Sequence, residues 1–63
     1  MWTAVYLANN IETAKDIKEK LTREGFVLKI EKFSKSEKNT IYKILAPEFE
    51  AEEIQNVILE LGL

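Results

Sequence analysis

The chain has 63 residues, a length that allows one domain and buries only about 60% of the unfolded surface, so its core is small. It has no Cys and no His, which excludes disulfides, zinc sites of the usual thiolate and imidazole kind, and Ser-His or Cys-His nucleophiles. Hydrophobic residues at 46% and charged residues at 32% describe a folded chain held by apolar packing, and a net charge of −2 argues against a general nucleic-acid binder.

Met1 to Ala8 predicts a strand, rich in β-favouring types and ended by two Asn. Strict alternation sends Thr3, Val5 and Leu7 to one face and Trp2, Ala4, Tyr6 and Ala8 to the other. The N-terminus lacks the basic region of a signal peptide and no apolar run approaches the roughly 20 residues of a membrane span, so a cytoplasmic location without membrane contact is expected.

Asn9 or Asn10 then caps a helix of about Asn10 to Glu24; with Asn9 as N-cap, Glu12 falls at the acidic position of a capping box. Ile11, Ala14, Ile17 and Leu21 form its apolar stripe. Gly25 stands where the left-handed residue of a Schellman cap belongs, and Leu21 and Phe26 then occupy the two positions whose side chains meet.

The run Phe26 to Phe33 alternates as a half-buried strand, with Phe26, Leu28 and Ile30 inward and Val27, Lys29 and Glu31 outward. Ser34 to Asn39, polar and without a period, predicts the exposed connection of a wide hairpin. Thr40 to Ala46 returns as a third strand, Tyr42 and Ile44 inward and Ile41, Lys43 and Leu45 opposite, and Pro47 ends it. A second helix follows, with Ile54, Val57, Ile58 and Leu61 on one face, supported by Phe49 or Ala51, and Gly62 stops it.

The expected fold is therefore α+β, a two-layer β-α-β-β-α arrangement: a three-stranded antiparallel sheet with both helices on one face, the third strand central. It is ferredoxin-like without the last strand. Charge is uneven along it: residues 29 to 43 carry a net +3 and residues 44 to 63 a net −5.

Each chemistry that this topology hosts needs residues at set places. Metal chaperones need two Cys in the first strand-helix turn, and amino-acid sensors resembling ACT domains usually carry Gly there; "ANNIET" has neither. Asn9 and Asn10 remain candidate donors to a small ligand, although capping accounts for them. RNA-recognition modules need stacked aromatics on the first and third strands of an open sheet; Trp2 and Tyr6 meet half of that, and Tyr42 is expected inward. Glu48, Glu50, Glu52 and Glu53 suit a helix N-terminus and require no cation. Neither a cofactor nor catalysis is expected.

The first strand has no Lys, Glu or Pro to discourage pairing, and it offers Trp2, Ala4 and Tyr6 to the open face beside Val27, Ile41 and Leu45. Those six form the candidate interface of a homodimer, made by the strand edge or by the open face, or of a contact with another protein.

Finally, "MWTAVYLANNIETA", "LTREGFVLKI" and "YKILAPEFEAEEI" resemble a family of very small, uncharacterised proteins of anaerobic Gram-positive bacteria, itself similar to a prokaryotic domain named for signal transduction. The resemblance implies a regulatory or signal-transducing binding module. Some chains of this kind are called glutamate decarboxylase, but pyridoxal chemistry needs a cavity and a phosphate cup for which a core of this size has no volume.

Overall fold

The computed structural model describes residues 1–36 and 38–63, with the side chain of Lys35 left aside. Its elements are β1 (Trp2–Ala8), α1 (Ile11–Arg23), β2 (Lys29–Ser36), β3 (Asn39–Pro47), a 3₁₀ turn (Glu48–Glu50) and α2 (Ala51–Leu61). The sheet is antiparallel, in the order β1-β3-β2, as the short connections require. Val5, Ala8, Ala14, Ile17, Leu21, Phe26, Leu28, Ile44, Ala46, Ile54 and Ile58 form the core between the sheet and the two helices.

Asn10, not Asn9, caps α1: its backbone is extended and its Oδ1 accepts from the Thr13 N–H at 2.7 Å. This one-residue shift moves Glu12 off the capping-box position, while leaving it in the first turn where the helix dipole favours an acid. Of the expected stripe, Ala14, Ile17 and Leu21 are buried, and Ile11 lies at the exposed end. Lys20 pairs with Asp16 and Arg23 with Glu19 on the outer side, exposed i,i+4 pairs of about 0.3–0.5 kcal/mol each.

The C-terminal cap of α1 is the Schellman motif that the sequence predicts. Phe26 N–H donates to Leu21 O at 3.3 Å, Gly25 N–H donates to Thr22 O at 3.0 Å, and Gly25 has φ +98°. A Cβ there would touch nothing, so a substitution costs only backbone strain, on the order of 1 kcal/mol. Gly62 (φ +71°) ends α2 in the same way, with Leu63 N–H donating to Ile58 O at 3.1 Å.

Four expectations need correction. The ladder of β2 begins at Lys29 rather than Phe26, although Phe26 and Leu28 still turn inward as alternation predicts. The segment from Ser34 to Asn39 is mostly strand: Ser34 pairs with Thr40 and Ser36 with Asn39, with a register shift between Ser34 and Ser36. Glu37, within that expected loop, lies outside the described residues. Phe49 and Leu61 do not help to bury α2, whose core contacts come from Ile54 and Ile58 with Ala51 and Val57 beside them.

The fourth correction concerns β1. Its register against β3 shifts between Ala4 and Tyr6: Ala4 faces Leu45, but Tyr6 faces Ile44, so Val5 is the extra residue of a β-bulge. The bulge reverses the alternation after Val5, which itself stays inward. Tyr6 and Ala8 turn toward the helices and Leu7 turns away. The extra residue of a bulge is left out of the ladder, and α2 supplies a substitute: Gln55 Nε2 donates to Val5 O at 2.7 Å. Replacing Gln55 by Leu keeps helix propensity but orphans this part-buried carbonyl. Gln55→Leu is expected to lower stability by about 1 kcal/mol, read as a lower urea midpoint; an unchanged midpoint would show that water replaces the amide at no cost.

Candidate interaction surface

With both helices on one side, the other face of the sheet has no covering layer among the described residues. The registers place Trp2, Ala4 and Leu7 of β1, Ile41, Lys43 and Leu45 of β3, and Lys29, Glu31 and Phe33 of β2 on it. Val27 precedes β2 and is 62% exposed. Trp2 is 41%, Leu7 59% and Phe33 40% exposed, so the surface keeps large apolar groups in water.

Five of the six candidate interface residues belong to this surface: Trp2, Ala4, Val27, Ile41 and Leu45. Tyr6 does not, because the bulge turns it onto the core, and Leu7 takes its place. Phe33 also belongs here, opposite Ile41; its odd number in an alternating strand gives the signal that finds it.

Leu45 lies at the centre of the face yet is only 9% exposed. Its neighbours explain this. Lys29 on one outer strand and Trp2 on the other meet above the central strand, with Lys29 Nζ 4.3 Å from the centre of the Trp2 ring. The lysine stem lies along the apolar floor and the ammonium sits on the indole. Lys43 Nζ stands in the same way 4.9 Å from the Phe33 ring. Both open-face aromatics thus have one ring face occupied by an ammonium group, and base stacking there would first have to displace it.

Asn10 Oδ1 is committed to its cap, so the two Asn of the first turn are not equivalent. Asn9 lines a groove of about 500 Å³ with Lys38, Asn39, Thr40 and Ile41. Among the described residues, no cluster of acidic groups is disposed to hold a metal ion. Among these residues, too, no helix is long and apolar enough to cross a membrane.

Compared with protein-family models, with curated proteins and with solved structures, the chain finds no significant match.

Proposed function

We propose that this protein is a non-enzymatic interaction module, regulatory in the sense that its family resemblance implies, and that it works as a homodimer joined through the open sheet face. The observation carrying this reading is the uncovered sheet with Trp2, Leu7, Val27 and Phe33 standing in water. The molecule measures 33 × 24 × 15 Å, and its broad side projects about 800 Å², the area one partner gives to a standard interface. A two-fold axis would set the same patch against itself. Lys29, Glu31 and Lys43 then have to pair across the contact or stay at its rim, which selects the orientation of the two copies.

Edge pairing through β1 is the weaker arrangement. The bulge at Val5 bends that edge, and bulges are among the devices that keep edge strands from pairing. The chain's one tryptophan makes the test direct. Diluting the protein through its dissociation range is expected to shift Trp2 emission to the red as the indole gains water; emission independent of concentration, at the wavelength of an exposed indole, would count against the face contact.

A second reading, a sensor of amino acids or nucleotides near the first turn, rests on Asn9 in its groove with Asn39 and Thr40. One of those compounds at 100 times its dissociation constant would stabilise the fold by about 2.7 kcal/mol, a rise in melting temperature that the interaction-module reading does not expect.

A further inference from the structure

A second surface lies on the opposite edge of the sheet. The order β1-β3-β2 leaves β2 with one side unpaired, and α1 stands beside it. Between them runs a groove of about 440 Å³ lined by Lys15, Lys18, Glu19, Thr22, Arg23 and Ile30.

The direction of the β2 backbone groups follows from one bond. Glu48 N–H donates to Met1 O at 2.8 Å, which turns the peptide groups of the even-numbered β3 residues toward β1 and those of the odd-numbered ones, Lys43 and Leu45, toward β2. In the observed register Lys43 faces Glu31 and Leu45 faces Lys29. Ile30 and Lys32 therefore direct their N–H and C=O groups out of the sheet, along the groove. Their side chains share the helix side with Ile44 and Tyr42, their partners on β3.

The groove thus combines an open hydrogen-bonding edge, a half-buried apolar floor at Ile30, and a rim of positive charge. Arg23 is engaged by Glu19. Lys15, Lys18 and Lys32 form no ion pair among the described residues. Strand addition takes its affinity from main-chain bonds and its selectivity from side chains on one face. We propose that this groove binds an acidic peptide in extended form, which adds to the sheet beside β2 with an apolar side chain over Ile30 and carboxylates toward Lys15, Lys18 and Lys32. A second copy is a poor donor of such a strand, because the acid-rich part of this chain, residues 48 to 60, is helical. The site is separate from the open face and stands or falls without it.

The probe is a fluorescein-labelled eight-residue peptide, Thr-Glu-Thr-Val-Thr-Glu-Thr-Glu, whose alternate positions put the Val and the three Glu on one face of a strand, followed by anisotropy at low ionic strength, with amide hydrogen exchange in parallel. Saturable binding is expected, with slower exchange at Ile30 and Lys32. N-methylation of every peptide bond leaves the charge and removes the ladder, and is expected to weaken binding at least about tenfold. The double variant Lys15→Glu, Lys18→Glu is expected to do the same, and Lys15→Gln, Lys18→Gln to fall between, each with an unchanged circular dichroism spectrum. Equal affinity of the methylated peptide, indifference to the lysine changes, or absence of binding would overturn the proposal. So would equal displacement by a single-stranded oligonucleotide of the same charge without protection at Ile30 and Lys32, the mark of a general polyanion patch. Protection of those two amides by raising the protein concentration alone would assign the groove to a second copy and overturn it as well. Leu7→Lys, on the other surface, is expected to leave peptide affinity within about twofold, so the two sites can fail separately.

Discussion

Ile44→Ala is expected to remove most of the stability of this domain. Ile44 is fully buried on the central strand, belongs to the core between sheet and helices, and is the partner of Tyr6 just past the bulge of β1. Truncating a buried Ile to Ala costs about 2–5 kcal/mol, from lost transfer energy and from the cavity left behind. Small domains have about 5 kcal/mol or somewhat more in total, and this chain has no disulfide to limit the unfolded ensemble. The variant should show a much lower urea midpoint or be largely unfolded at 25 °C. Ile44→Val, at about 0.5–1.5 kcal/mol, should remain folded. A loss below about 1 kcal/mol for the Ala variant would mean that the core is centred elsewhere.

Leu7→Lys is expected to separate the two subunits of the proposed dimer without unfolding either. Leu7 is 59% exposed on the uncovered face, so in one isolated chain the change should lie within about 0.5 kcal/mol. In a face-packed dimer the same lysine is forced into an apolar contact already carrying Lys29 and Lys43, and the dissociation constant should rise at least about tenfold. Tyr6→Lys, attractive if strict alternation held, would not separate these effects. Tyr6 packs on the core, so a charge there would weaken the fold itself. A Leu7→Lys protein with unaltered self-association would remove Leu7 from the interface.

What the sequence made legible was local. The Schellman cap of α1 needs only Leu21, Gly25 and Phe26 at fixed spacing, and the inward set Phe26, Leu28 and Ile30 needs only alternation between a buried and a wet face. The β1 bulge had no such mark. Val5 with Leu7 and Tyr6 with Ala8 are both apolar sets, so either phase of the strand reads equally well, and the residue that accommodates the extra carbonyl, Gln55, is 50 positions away. The outer hairpin was hidden for a different reason. Ser34, Ser36, Asn39 and Thr40 extend past the core, so no buried face imposes a period, and a strand without a period looks like a loop.

The candidate surface was legible to the same degree. Trp2, Ala4, Val27, Ile41 and Leu45 follow from alternation, and the exchange of Tyr6 for Leu7 follows from the bulge. That Leu45 is already covered could not be read from its strand. The cover is made by Lys29 and Trp2, from two strands that do not touch each other, meeting over the one between them.

Sedimentation equilibrium at micromolar concentration tests the central claim most directly. The single chain has a mass of 7.3 kDa. The dimer account predicts a concentration-dependent weight-average mass that approaches twice this value for the natural chain and stays at one chain for Leu7→Lys. A mass of one chain for the natural protein across the whole range would contradict it.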